Sequence, residues 1–561
     1  MSRAWLAKGS LIALCLASSV TNLGNRFAQD DMPVIERNGI VHTLAEPWTF
    51  FTESYWPKPF APALYRPLAT TGFAVQWQLS GGKPWFFRTV SIAMYLAAGL
   101  ALFHLAGLLL PPAAAWLAAA FFMIHPVHVE AVAIAVNQSE LMVGLLAALV
   151  VILYLKFRRD DRFHASHGAA LFGLYLAATL FKETGLVIMG LIVAAELTLV
   201  DDPQPVRQRL ARIRPMLLVM LLGATSFFAI RTFALGGDPV GTFTAEALNG
   251  LGIGGRALTM LGVVPQWFRL LLWPARLQAD YSPREIETAT GFGSEQLTGA
   301  LLILLTVMLT VFFWRRRPVI SFGLLWAAIG IFPVSNVLVP TGIVLAERTL
   351  FLPSMGMMLA IGGLAALAIE RLAETGRLVR YLAIAGVGAI LVMGTTRSAS
   401  RQRVWQDQFT LWYQTTTDAP LSYRAHHALA ELLFKAGARG WAEKEFRTAM
   451  YLYPEQWGAY YDLANKLRLA DRCDGAVKYY QKTLLIEPGH TAARLSLIAC
   501  LLDLGDYRTA RSEAREGVAY ADRPGYVKLF QKFAGVADSA LDASAPAGTV
   551  RLTIAAADTM P

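Results

Sequence analysis

Asn22–Gly39 reads NLGNRFAQDDMPVIERNG, and it begins where the first apolar run of the chain (6–24) ends. Asp30 and Asp31 stand side by side in it. Scattered polar residues are enough to keep a membrane-proximal loop wet, so an adjacent pair of acids needs a second explanation. Neighbouring side chains of an extended segment point to opposite sides. Only one of the two acids is therefore expected to face a site.

Working outward, the 561-residue chain is 55% hydrophobic and 16% charged, whereas soluble domains run near 45–50% and about 25%. The balance predicts a polytopic membrane protein with a less apolar portion attached. Apolar runs lie near 6–24, 86–108, 113–134, 139–157, 168–182, 184–200, 216–234, 297–314, 319–333, 350–369 and 380–396. They predict about eleven transmembrane helices. The net charge of +10 argues for topology and not for nucleic acid, because the basic residues cluster between apolar runs. The clusters are Arg3 and Lys8; Arg158, Arg159 and Arg162; Arg207, Arg209, Arg212 and Arg214; Arg315 to Arg317; and Arg371, Arg377 and Arg380. With the N-terminus inside, all of them fall on the cytoplasmic side. A signal peptide in place of the first helix would leave the rest of this topology unchanged, but no clean cleavage site follows LIALCLASSV.

This arrangement puts four segments outside: the Asp30/Asp31 loop to about Trp85, HPVHVEAVA (His125–Ala133), the stretch 235–295, and everything after about Thr396. Trp48, Phe50, Phe51, Tyr55, Trp56, Phe60, Tyr65 and Trp77 crowd the first of these, as expected of short helices lying at the headgroup level. Pro265 and Pro274 argue against a clean span over 258–277.

The tail changes character. Ala442, Ala476 and Ala510 recur at a period of 34, as do Leu429, Leu463 and Leu497, and Pro420, Pro454 and Pro488. Phe446 and Tyr480 mark the aromatic position of the second helix. That period and those positions predict a tetratricopeptide α-solenoid. Its repeats are 423–456, 457–490 and 491–524, after a degenerate half repeat over 401–422. The membrane domain is then 1–400, the repeat domain 401–524, and 525–561 a partly disordered extension. Cys473 and Cys500 should be neighbours across one repeat interface, either bridged or as two buried thiols.

The outer face gathers Asp30, Asp31, Arg66, His125, His128, Glu130, Lys182, Glu183, Asp280, Glu347 and Arg348. Charged groups at membrane depth are costly and usually functional. Carboxylates with Arg and Lys fit transfer from an anionic, lipid-borne substrate, one base activating an acceptor while cations hold a phosphate. Each residue has a plainer reading. Asp30 and Asp31 could cap a helix, and Lys182–Glu183 and Glu347–Arg348 could be local ion pairs. His125, His128 and Glu130 have the types of a divalent-metal site.

In order along the chain stand FAQDDMPVIERN, YRPLATTGFAVQWQLSGGKPWFFR, HPVHVEAVA, FKETG, LLLWPARLQADYS and VLAERTLFLPSMG. With the repeats behind them, they give a chain that resembles the transmembrane-and-tetratricopeptide-repeat O-mannosyltransferases and is expected to be a bacterial relative of them. The resemblance implies an all-α GT-C fold and a sugar transferred from a polyprenyl-phosphate donor on the extracytoplasmic side of the inner membrane. It also implies catalysis by an acid of the first outer loop, the position of Asp30 and Asp31. On this reading Asp30 is the base and Asp31 its orienting partner, or the reverse. Arg348 holds the donor phosphate, with Lys182 and Arg66 as further candidates. Glu347 orients Arg348, Glu130 with His128 meets sugar hydroxyls, and His125, Glu183 and Asp280 complete the shell. The sequence departs from the pattern at AIAVNQSEL, where relatives carry a Gly-Arg-Ala-Asp-like run, so the roles of Asn137 to Glu140 stay open.

The repeats are expected to recruit a protein acceptor, since solenoids present extended concave surfaces. The competing readings are a transferase acting on an envelope glycan or lipid, a non-catalytic membrane anchor for a repeat scaffold, and a transporter. The anchor needs no outer acids, and a transporter should place its charges near the bilayer midplane.

Overall fold

Helix is the only regular structure among the described residues of this computed structural model, which are 3–57, 64–159, 164–237 and 244–542. Phe60, Arg162 and the tail 543–561 lie outside them. The chain forms two compact units. One comprises Met1–Tyr281 with Ile286–Gln414, and the other Ser282–Glu285 with Thr415–Pro561.

In the first unit the helices are α1 (Arg3–Ser19), α2 (Pro67–Ser80), α3 (Pro84–Leu109), α4 (Pro112–Met123), α5 (Val129–Ala133), α6 (Gln138–Arg159) and α7 (Ala165–Phe181). They continue with α8 (Ile188–Thr198), α9 (Val206–Ala234), α10 (Ile253–Leu272), α11 (Ser294–Phe313), α12 (Pro318–Ile331), α13 (Phe351–Ala373) and α14 (Arg377–Gln402). Every apolar run of the sequence is helical, but among the described residues only 7 helices are long and apolar enough to cross a membrane by themselves, or 8 if the bent pair α4–α5 counts as one span. Helices such as Ala165–Phe181 and Pro318–Val334 are apolar but short, below the roughly 20 residues that cover a 30 Å hydrocarbon layer.

Two local rules place the functional end of this unit. The residue before a proline avoids the helical region, and His125, before Pro126, is extended at φ −71°, ψ 120°. The chain bends by 46° there, which turns α5 and its Glu130 off the axis of α4. The second rule is close packing: a Cβ added to Gly323 would lie 2.4 Å from the Gly356 oxygen, and one added to Gly356 2.5 Å from the Gly323 oxygen. Glycine at both positions lets α12 and α13 touch backbone to backbone. The turn Glu347–Leu350 leads directly into α13.

The helix α10 runs unbroken through Pro265 and ends just before Trp273–Pro274, and it is not one of the candidate spans among the described residues. One expectation is corrected. The aromatics of 42–82 are only partly a surface belt. Trp48 and Phe51 are exposed, whereas Phe50 and Tyr55 are buried against α2, α3 and the 129–136 segment, and Tyr65 against Leu180 and Phe227.

In the second unit α15 (Tyr423–Lys435) and α16 (Arg439–Leu452), α17 (Gly458–Leu469) and α18 (Cys473–Ile486), and α19 (Thr491–Asp503) and α20 (Tyr507–Tyr520) follow one another as helical hairpins. A further helix, α21 (Pro524–Asp542), replaces part of the expected disordered extension. The 34-residue period is physical: Leu429, Leu463, Leu497, Ala442, Ala476, Ala510, Phe446 and Tyr480 are all buried. It extends to the backbone, since Gly437, Asp471 and Gly505, each 34 positions from the next, take φ of 82°, 55° and 78°. Cys473 and Cys500 form a disulfide with Cα atoms 5.1 Å apart.

Candidate functional site

Asp30 and Asp31 part company in the fold. Asp31 is fully buried and ion-paired with Arg88 at 2.9 Å, and both side chains are closed to solvent. It also accepts the backbone N–H groups of Ala135 (3.2 Å) and Val136 (2.9 Å). Burial pushes its carboxyl up from the ordinary value, while Arg88 and these two N–H groups pull against it. Asp31 is thus a pin that holds the loop against the start of α6. Asp30 keeps 27% of its side chain exposed and lies 3.9 Å from Arg348. The residue before it, Gln29, has a φ of 49°, a left-handed conformation unusual outside glycine. That backbone twist sets the direction in which the chain enters the acid pair.

Arg348 is held by Glu130. The Glu130 carboxylate accepts the Arg348 backbone N–H at 2.9 Å and pairs with its guanidinium. Glu347, which the sequence reading assigned to orienting Arg348, instead accepts the Gln278 N–H at 2.5 Å and the Tyr281 hydroxyl at 3.1 Å. Adjacent residues of a helical turn do not face each other, so a guanidinium and a carboxylate at 347–348 find partners elsewhere. Asp280 is half-buried in that same 278–281 segment.

A second group of charges continues from the first. Lys182 pairs with Glu140, both nearly buried. Glu183 bridges two guanidiniums, Arg66 at 3.1 Å and Arg231 at 3.3 Å. Burial works to raise the Glu183 carboxyl, but Arg66, its own backbone N–H, Arg231 and Lys182 bring it below its ordinary value. Arg66 also lies over the ring of Tyr55 at 5.0 Å. Tyr55 feels the charges of Arg66, Asp30 and Asp31 at once, and Lys182 those of Glu140, Arg66 and Arg348. The two groups form one continuous charged surface.

The histidines do not join it. His128 offers Nε2 to Ser354 at 2.7 Å, and its Nδ1 lies 3.0 Å from both Tyr95 and the Phe122 carbonyl. His125 donates from Nε2 to the Leu271 carbonyl at 3.2 Å and accepts the Val127 N–H at Nδ1. With Glu130 given to Arg348, His125, His128 and Glu130 do not form the divalent-metal site that their residue types allow. Among the described residues no three His, Cys, Asp or Glu side chains come together to hold a metal ion.

The sequence reading thus named Asp30, Glu130 and Arg348, and Arg66, Lys182 and Glu183, all of which meet here. It missed Arg88 and Arg231 and left the role of Glu140 open. Each had a signal: Arg88 and Arg231 are lone basic residues at the outer ends of apolar runs, against the positive-inside pattern, and Glu140 stands inside one.

No protein-family model matches the chain. It is 24% identical over 455 residues to the protein O-mannosyl-transferase F38B6.6 of Caenorhabditis elegans, covering 79% of this chain and 62% of that one. It is 24% identical over 528 residues to the protein O-mannosyl-transferase TMTC3 of Mus musculus, covering 87% and 56%. The chain therefore spans less than two thirds of the length of these relatives, which carry the name to which the sequence motifs pointed. Among solved structures it is similar to the Archaeoglobus fulgidus oligosaccharyltransferase tethered with an acceptor peptide, with a TM-score of 0.42 and 14% identity over 74% of this chain and 57% of that one.

Proposed function

We propose that the chain is an inverting glycosyltransferase. It moves a sugar, mannose or another hexose, from a polyprenyl-phosphate donor to Ser or Thr hydroxyls of extracytoplasmic proteins. The observation that carries this reading is the split of the acid pair. Asp31 is consumed by Arg88, whereas Asp30 stays partly open beside an arginine that a second carboxylate has already oriented. A carboxylate placed this way suits a general base.

The step is a single displacement. The acceptor oxygen attacks the anomeric carbon and its proton passes to Asp30. The bond from that carbon to the phosphate oxygen breaks, and polyprenyl phosphate leaves as the anion. A phosphate is already a good leaving group, so the residues need to hold it and not to protonate it. Inversion follows because attack and departure use opposite faces of the sugar. Arg348, fixed by Glu130, positions Asp30 and the acceptor.

In this reading the apolar helices cross an inner membrane about eleven times, the shorter ones included. The N-terminus is cytoplasmic, and the site and the C-terminal unit lie outside. The helical hairpins of that unit are tetratricopeptide repeats that recruit the acceptor protein. The buried 34-residue period supports this, and the disulfide suits an oxidising compartment. Nucleic acid plays no part.

Mass spectrometry of envelope proteins from cells with and without the chain tests the proposal. Loss of single hexoses from Ser/Thr peptides is expected. An unchanged glycoproteome, with an envelope glycan or lipid altered instead, would overturn the protein acceptor.

A further inference from the structure

In the second unit Trp457 stands immediately before α17 and His490 immediately before α19. These are the first helices of consecutive hairpins, so the 34-residue period brings their starts side by side. The His490 imidazole lies 4.5 Å, centroid to centroid, from the Trp457 indole and 4.5 Å from the ring of Tyr461, one turn further along α17. All three rings are half-buried.

The hydrogen bonds fix what the patch can offer. His490 Nδ1 accepts the Ala493 N–H at 3.1 Å and so caps α19, which leaves the ring proton on Nε2. Burial lowers this imidazole below its ordinary value, although a backbone hydrogen bond, Glu487 and Asp462 pull it up. The ring is therefore neutral, and its open side is a donor. The indole N–H of Trp457 is a donor only. Among the described residues neither N–H has a hydrogen-bond partner, and neither nitrogen is sealed from solvent. Of the two carboxylates that act on His490, Asp462 is taken by His427 at 2.7 Å, and Glu487 is exposed.

We propose that Trp457, Tyr461 and His490 form the docking site for an extended, proline-containing segment of the acceptor protein. This deepens the reading of the unit as the recruiter of the acceptor, and rests on it. A polyproline-type chain has no internal hydrogen bonds, so its carbonyls are free to accept. Each proline adds an apolar ring and removes an N–H. Such a segment brings the acceptors and the apolar surface that the patch lacks, and fewer donors to be left unpaired beside Trp457 and His490. Aromatic-lined surfaces take proline-rich segments in this way, because the segment is already extended and loses little entropy on docking. With three residues per turn, one side of it meets the rings, and Ser or Thr on the other sides stay uncovered.

The test follows the fluorescence anisotropy of labelled peptides on the full chain in phosphatidylcholine nanodiscs. The peptides alternate Ser or Thr with Pro, with Gly or with Lys. The Pro peptide should bind about ten-fold more tightly than the Gly peptide, which must be ordered on docking. Trp457→Phe keeps a ring and removes the donor. His490→Asn keeps a capping oxygen and removes the imidazole. Each should weaken the Pro peptide a few-fold, while Trp441→Phe, at an exposed tryptophan of α16, should bind as the wild type does. Equal affinity for the Pro and Gly peptides would overturn the proposal, as would tightest binding of the Lys peptide or full binding by both variants. A mannosylated Pro peptide that binds more tightly than the bare one would make the ligand a glycan and overturn it too. If no peptide binds, acceptor recruitment by this unit falls as well. Trp457-dependent binding of a peptide that never receives a sugar would sink the transferase and keep the docking site.

Discussion

At the start of α6 stands Glu140, and about 27 Å further along the same helix, at 1.5 Å per residue, stands Arg158. Around Arg158 the chain builds a cluster from the same ingredients as the candidate site. Glu196, with no solvent exposure, takes Arg158 at 3.1 Å, Arg209 at 3.3 Å and the Tyr154 hydroxyl. Asp202 takes Arg158 at 2.5 Å and Arg212 at 3.0 Å. Arg209 reaches the Val200 carbonyl at 3.0 Å as well. Here each carboxylate is covered by converging donors, and Glu196 is sealed. At the other end Asp30 and Glu183 keep 27% and 26% of their side chains exposed. One network is filled by the protein itself and ties α6, α8 and α9 together. The other keeps two of its carboxylates partly open to solvent. Composition does not separate the two; exposure does.

The contrast predicts which damage each end suffers. Removing one partner of a buried charge network leaves the others uncompensated, at about 3–5 kcal/mol. Glu196→Gln, which takes the carboxylate from Arg209 and leaves Arg158 with Asp202 alone, should lower the thermal midpoint of the detergent-solubilised chain strongly, and the surviving folded fraction should turn over normally. Asp31→Asn should behave the same way, because it strands Arg88 in a fully closed site. A stable Glu196→Gln chain that had lost transfer would break the comparison, because it would place chemistry at the sealed end.

Next in size is the open end. Asp30→Asn keeps shape and hydrogen bonding but removes the proton acceptor, so transfer to a Ser/Thr peptide should drop about 100-fold or more. That corresponds to roughly 2.7 kcal/mol of barrier, with an unchanged midpoint. Full transfer by Asp30→Asn would remove it as base.

How far the sequence leads can be judged on particular residues. The helices were legible because apolar runs and basic clusters are averages over many residues, and every run proved helical. Their lengths were not: α8 ends after Thr198, where the loop turns to deliver Asp202 to Arg158. The site was legible as a set of charged residues on one face. The pairings inside it were not. DD carries no sign of which acid is buried, since that depends on Arg88, 57 positions away in the chain. ER at 347–348 invites a local pairing that helical geometry refuses, and Arg348 finds Glu130 across the fold. Sequence neighbours were over-read and distant partners missed, for one reason: pairing is decided by tertiary packing.

The smallest predicted effect concerns backbone strain. Gln29 and Asp471 are both non-glycine residues in the left-handed region, with φ of 49° and 55°. A non-glycine residue there costs on the order of 1 kcal/mol. In the repeats the cost serves nothing visible, since the equivalent turns use Gly437 and Gly505. Asp471→Gly should therefore slow hydrogen exchange across the α17–α18 hairpin by a few-fold in the intact chain and leave transfer untouched. At Gln29 the same conformation sets how the chain enters the acid pair, and strain kept at such a point aims a side chain. Gln29→Gly relaxes the strain and widens the range of Asp30, so it should lower transfer a few-fold with no loss of stability. If both glycine variants raise stability and neither alters transfer, the twist at Gln29 is only a turn, and the aim of Asp30 comes entirely from Arg348.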